Sequence, residues 1–422
     1  MRGGRLRDHA VRLRRRARLP RSADLPRTAR RRPHPTLLTA PFLIPSPSAD
    51  RAGGFFMFRR TLMTSGLDHT VRLSRPADFI AIVPYMLGFH PQRSIVAMAF
   101  EPTADPDSTA RGLRFSMRFD LPDNSEDTPD LARRFAELLT HNGTERAILI
   151  GYGPGWHVTP VMDAIRGVLS DAGIDTIDAL RVEDGRYWSY TCPDPDCCSP
   201  DGVPYDAGTN PAAAAAVFAG YVARPDRAAL TAMLAPAGGQ DREQVRAATR
   251  DACAQARSLL AAGGDHDWYH EGLAQVTAAL ERTQAGQDLS ADEVAWLGVR
   301  LTAIFVRDAA MTLIGRYDDD THIRLWTQLT RRVEPDFAAP PAALLAFLAL
   351  RTGDGPLARV AVERALSADP RYSLAGLIRT ALDCGLPPEA AAGMDCAGMA
   401  DEIADKAAQC PDGARPVLPA GW

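Results

Sequence analysis

Hydrophobic spacing changes character once along this chain, at about residue 210, and that change limits the architectures open to it. Ahead of that point, apolar runs of strand length alternate with stretches of helical period; behind it only the helical period persists. Strand and helix in alternation predict an α/β domain over residues 63–209, with a small mixed, mostly parallel sheet and flanking helices. Residues 210–390 read as an all-α domain and 391–422 as a flexible tail.

Within the first half, Phe79, Ile80, Ile82, Val83, Met86 and Leu87 fall at helical spacing after Pro76, with Ser74 as a candidate cap and Gly88 as a stop. Pro84 inside this run predicts a kink or an early end. Residues 94–100 form a short apolar run, read as a buried strand, and 113–121 alternate apolar with polar. The polar segment between them predicts an antiparallel pair. A helix at 131–139, a strand at 146–150, a helix at 158–172 and a strand at 177–182 follow.

Charge and composition exclude several chemistries. Residues 1–62 hold 16 Arg and 3 Asp, a balance of +13, so the whole chain's −4 leaves −17 on residues 63–422. An acidic body opposes general nucleic-acid binding, which depends on cationic neutralisation of phosphates. The basic, proline-rich head reads as disordered, from a misassigned start at Met57 or Met63, with an export signal or a nucleic-acid-binding arm as the competing readings and ordered structure expected near Val71. Lys406 is the only lysine, so no Walker-type phosphate loop exists and a Schiff-base lysine has one implausible candidate. No apolar run reaches the roughly 20 residues that a membrane helix needs. An odd count of 7 cysteines in a large chain makes a poor disulfide framework, and a reducing cytoplasm is the expected compartment.

Two segments carry candidate chemistry. Gly151-Tyr-Gly-Pro-Gly155 joins a strand to a helix, where Gly153 and Gly155 could let backbone N–H groups approach a phosphate. Trp156 breaks the dinucleotide pattern and Pro154 removes a donor, so a tight structural turn competes with that reading. Asp184-Gly-Arg-Tyr-Trp-Ser-Tyr190 places Arg186, Tyr187, Trp188 and Tyr190 just before Cys192, Cys197 and Cys198. Those aromatics and the guanidinium suit a planar or anionic ligand. The three cysteines are compatible with a metal site, a reactive thiol or a packed proline-stiffened loop. Both segments follow strand C-termini, the edge where open α/β sheets bind ligands.

Several of these residues match a known pattern. Val71-Arg-Leu-Ser-Arg-Pro-Ala-Asp78, Gly88-Phe-His-Pro91, the run from Asp184 to Tyr190, the three cysteines, Pro204-Tyr205, Val306-Arg307-Asp308, Gly353-Asp354-Gly355 and Asp369-Pro370 carry it. On these positions the chain resembles the actinobacterial family called "domain of unknown function 4192", over about residues 65–390. The resemblance implies a soluble protein and transfers no catalytic residue.

In the second half, helical spacing predicts segments at 211–223, 226–234, 241–262, 268–284, 290–315, 321–332, 341–351, 355–367 and 372–384. Ala358, Val362, Ala365 and Pro370 have the spacing of a tetratricopeptide-like hairpin, with generic antiparallel helices as the equal alternative. His266 and His270 stand at i and i+4, a spacing that can hold a metal, while the neighbouring acids suit a helix start. Arg307-Asp308 inside an apolar helix predicts a partly buried ion pair. Two functional readings follow. One is an interaction or regulatory module engaging another protein; the alternative is a small-molecule-binding protein or enzyme with its pocket near 151–155 and 186–198.

Overall fold

The computed structural model describes residues 55–60, 69–100, 110–262 and 266–422. The first half runs β1 (Phe55–Arg60), β2 (His69–Leu73), α1 (Pro76–Leu87), β3 (Ser94–Phe100), β4 (Ala110–Asp120), α2 (Thr128–His141), β5 (Arg146–Tyr152), α3 (Gly155–Asp171), β6 (Asp175–Glu183), β7 (Arg186–Ser189) and β8 (Val203–Pro204). The strands form one mixed sheet in the order β2-β1-β4-β3-β5-β6-β7-β8.

Only β1–β4 and β5–β6 pair in parallel; the other neighbours are antiparallel. The expected mostly parallel sheet is therefore corrected to a mostly antiparallel one. The crossover β4–α2–β5 steps over β3, which pairs antiparallel with both, so the two strands joined by the helix never meet. The antiparallel pairing of the 94–100 and 113–121 segments is as expected. Strand β1 lies ahead of Val71, where order was expected to begin; residues 1–54 of the basic head lie outside the described residues.

Strand β3 is buried at every position because it is covered on both faces. Val96, Met98 and Phe100 face the layer of α1, while Ile95, Ala97 and Ala99 face α2 and α3 through Phe135, Leu139, Val158 and Ile165. Helix α1 runs through Pro84 to Leu87 and stops at Gly88, which is left-handed at φ 72°. Its cap is not Ser74. The Asp78 side chain instead turns back to accept the backbone N–H groups of Ser74 and Arg75 at 3.1 and 3.0 Å.

The second half comprises α4 (Pro211–Phe218), α5 (Arg227–Ala232), α6 (Gly239–Ala262), α7 (Trp268–Gln284), α8 (Ala291–Arg300), α9 (Ile304–Thr312), α10 (Asp319–Arg332), α11 (Ala339–Arg351), α12 (Gly355–Ala368), α13 (Ser373–Asp383), α14 (Pro388–Ala392) and α15 (Ala400–Gln409). Helix α11 is buried from Ala339 to Leu350 and packs against α10, α12, α13 and α14. The apolar core under α1 continues into these helices, through Leu230, Val245 and Trp326.

Two expectations in this half are corrected. The helix expected over 290–315 is interrupted where Ala303 turns extended, at φ −74° and ψ 123°, and both pieces keep an apolar face, so the period survives the break. The segment 391–422 is not a bare tail. Ile403, Ala407 and Ala414 are buried, and Trp422 packs edge-on against Phe337 with its indole N–H on Asp336 at 2.7 Å. Among the described residues, no helix is long and apolar enough to cross a membrane.

Candidate functional site

The site segment is built on a tight hairpin. Asp184 and Gly185, at φ 49° and 73°, are both left-handed, the backbone that a two-residue turn needs to match strand twist. The turn sends β7 back along β6, pairing Val182 with Tyr187 and Arg181 with Trp188. Alternation then divides the aromatics between two faces. Tyr187 enters the core and meets Tyr205 edge-on at 6.4 Å; burial, and then the nearby Cys198 and Cys197 thiols, push its phenol pKa up.

Trp188 lies on the opposite face, with the Arg181 guanidinium 3.6 Å from its ring centre. Its indole N–H donates to the Pro200 carbonyl at 2.9 Å, and Gly202, left-handed at φ 81°, passes so close that a Cβ there would stand 2.6 Å from the ring. Arg186 donates to the Gly202 carbonyl at 2.9 Å, closing the loop from the other side. Tyr190 reaches Thr159 of α3 at 2.7 Å.

The glycine turn meets this arrangement through Arg181. A Cβ on Gly155 would lie 3.1 Å from the Arg181 guanidinium, and one on Gly151 would lie 2.3 Å from Val158. Close packing thus accounts for both glycines. Arg181 also pairs with Glu183, so its charge is already answered.

The cysteine loop starts from a polar anchor. Asp178 accepts the hydroxyls of Ser189 and Thr191 at 2.8 and 2.6 Å, and the Ser189 oxygen accepts the Cys192 N–H at 3.1 Å. Asp194 shapes the tip, its carbonyl taking the Cys198 N–H at 2.7 Å and its carboxylate the Asp196 N–H at 2.9 Å. As a result the Cys192, Cys197 and Cys198 sulfurs all lie within 4.8 Å of one another, close enough to bind a metal. Cys197 is exposed and the other two are half-buried. Burial, helped by Cys192, pushes the Cys198 thiol up to about 12, and the Cys192 hydrogen bond raises Cys197. Clustered thiols without a cation favour the protonated form.

A cleft of about 370 Å³ opens at the ends of β5 and β6, lined by Tyr152, Gly153, Pro154 and the turn from Val182 to Gly185. Arg186, Trp188 and the cysteines do not line it. The missing wall is the 90–93 segment with Tyr205, which sequence reading did not assign to the pocket; the Gly88-Phe-His-Pro91 and Pro204-Tyr205 motifs were its signals.

The remaining candidates are separate. His270 binds Asp267 at 2.9 Å and His266 faces Glu271 at 3.2 Å, so the two rings serve different carboxylates. Arg307 is buried, paired with Asp308 at 2.5 Å and donating to the Tyr372 hydroxyl at 3.2 Å, as a partly buried ion pair should.

The family described as "Domain of unknown function (DUF4192)" matches residues 76–389. The chain belongs to this family. Asp78, the hairpin, the thiols, Arg307 and Asp354 all lie inside the matched region. No curated protein and no solved structure matches the chain.

Proposed function

We propose that this DUF4192 protein is a metal-dependent interaction or regulatory module, with a thiophilic cation, Zn²⁺ foremost, at Cys192, Cys197 and Cys198. The observation that carries this reading is the approach of the three sulfurs to within 4.8 Å. Zinc–thiolate bonds of about 2.3 Å put tetrahedral sulfurs about 3.8 Å apart, so a small contraction of the loop suffices. A disulfide between the adjacent Cys197 and Cys198 is disfavoured, because consecutive Cα atoms sit only about 3.8 Å apart.

Three thiolates leave a fourth position for water or for a donor from another molecule, and Cys197 faces solvent. That opening is what connects the metal to the interaction reading, and the packed helices from α11 to α13, read as a tetratricopeptide-like hairpin, would supply a platform for a protein partner. Free thiols suit the cytoplasm.

Native mass spectrometry with elemental analysis of anaerobically purified protein tests the reading. One zinc per chain, absent from Cys197→Ser and Cys198→Ser, is expected. Protein that stays metal-free after incubation with Zn²⁺ under reducing conditions sinks it.

A further inference from the structure

The thiols that would hold a metal are also close enough to react with one another. We propose that Cys192 and Cys197 form a reversible disulfide that competes with the cation for the loop, so that the site holds metal when reduced and releases it when oxidised. The effect on the metal rests on the thiolate-site reading above; the disulfide itself does not.

Geometry selects the pair. The three sulfurs lie within 4.8 Å of one another, and a disulfide bond is about 2.05 Å long, so closure needs a movement of at most about 2.8 Å. Cys197 and Cys198 are consecutive, with Cα atoms about 3.8 Å apart, too close for an unstrained bridge. Cys192 is therefore one partner, and both of the other thiols share hydrogen bonds with it. Cys197 is exposed and Cys198 half-buried, so Cys197 is the sulfur that an oxidant from solvent meets first.

The loop has one fixed end and one free end. Cys192 is fixed, because its N–H is held by the Ser189 oxygen at 3.1 Å and Asp178 holds that hydroxyl at 2.8 Å. Residues 193–197 are all exposed, so drawing Cys197 toward Cys192 breaks no buried contact.

The oxidant is a low-molecular-weight disulfide. The Cys197 thiolate attacks one of its sulfurs, forming a mixed disulfide and releasing one thiol. The Cys192 thiolate then attacks the Cys197 sulfur and releases the second. Two cysteine thiols become one disulfide, one disulfide becomes two thiols, and the two protons end on the released thiols. Cys198 alone remains, too few ligands for a zinc site. The Cys192 hydrogen bond that raises Cys197 slows exchange near neutral pH, so the switch is read at equilibrium.

Reduced, metal-free full chain is equilibrated with glutathione and glutathione disulfide at fixed ratios, quenched by alkylation and mapped by peptide mass. One intramolecular Cys192–Cys197 disulfide, lost again in excess glutathione, is expected. Cys198→Ser should keep it and Cys192→Ser should abolish it. Free Zn²⁺ at about 100 times its Kd should raise the oxidant activity needed for half-oxidation roughly 100-fold, because it binds only the reduced loop. Oxidation of zinc-loaded protein should release one zinc per disulfide. Absence of a Cys192–Cys197 bridge at the most oxidising ratio, or a bridge to Cys198 instead, overturns the proposal and leaves the metal reading standing. A bridge that leaves zinc bound overturns it too. A bridge in protein that never takes up zinc upholds the thiol pair and counts against the metal reading alone.

Discussion

Replacing Asp78 removes the polar tie on which α1 and α4 both depend. Its carboxylate, 5% exposed, accepts the Ser74 and Arg75 N–H groups at 3.1 and 3.0 Å and the Asn210 amide at 3.1 Å. Asn210 in turn accepts the Ala212 N–H at 2.8 Å and so caps α4. Hydrogen bonds to charged groups are worth about 1.5–3 kcal/mol each, are not additive, and are offset by the cost of burying the carboxylate. Asp78→Ala is therefore expected to cost about 3–4 kcal/mol. Asn210→Ala loses one such bond and a helix cap, about 2 kcal/mol. Because the pair shares one bond, the double variant should cost about 1–2 kcal/mol less than the sum. The pH dependence follows from the direction of the shift. Burial pushes Asp78 up, but the hydrogen bonds from Ser74, Asn210 and Arg75 outweigh it and hold the folded pKa below 3.8. Its contribution is thus complete above pH 3.8 and fades as pH falls through the lowered value. Urea unfolding followed by circular dichroism, at neutral pH and in acid, measures all three quantities. A cost under about 1 kcal/mol for Asp78→Ala, or no coupling to Asn210, would refute the reasoning.

Gly202→Ala combines a left-handed backbone at φ 81° with a Cβ 2.6 Å from Trp188, so it should cost about 2 kcal/mol or more and speed thiol labelling of the loop; labelling unchanged from the parent would count against Trp188 as the loop's clasp. His322 is buried beside Trp326, and burial lowers its pKa against the opposing pull of the Leu313 carbonyl, Asp319 and Asp318. Its neutral form therefore supports the fold fully only well above pH 6.5, and stability should fall as pH drops from there toward the lowered value. His322→Gln should flatten that slope in urea midpoints, and an unchanged slope would assign it to other groups.

Much of the local structure was legible because it depends on neighbours in sequence. Helix α7 occupies the 268–284 span that its period predicts, and β3 reads as buried because both of its faces are apolar. The hairpin hid in plain sight: Asp184-Gly185 is a turn signature, and the strand behind it was read only as a run of aromatics. The break at Ala303 was invisible, since both pieces of helix keep their apolar side toward the core.

The site divides in the same way. Spacing alone put Cys192, Cys197 and Cys198 on one loop, but their approach to 4.8 Å depends on Asp178 and Ser189 anchoring that loop from the sheet. No periodicity relates Tyr152 to Tyr205, or Asp78 to the amide of Asn210, 132 residues away. Sequence by itself determined many of the helices, the buried strand β3, the acidic body and the single lysine, because these follow from residue type and from contacts a few positions apart. Tertiary structure alone decided strand direction beyond the β3–β4 pair, the walls of the cleft and which buried polar groups found partners. Those outcomes follow from how the sheet and helices cover one another, which brings together side chains that the chain keeps far apart.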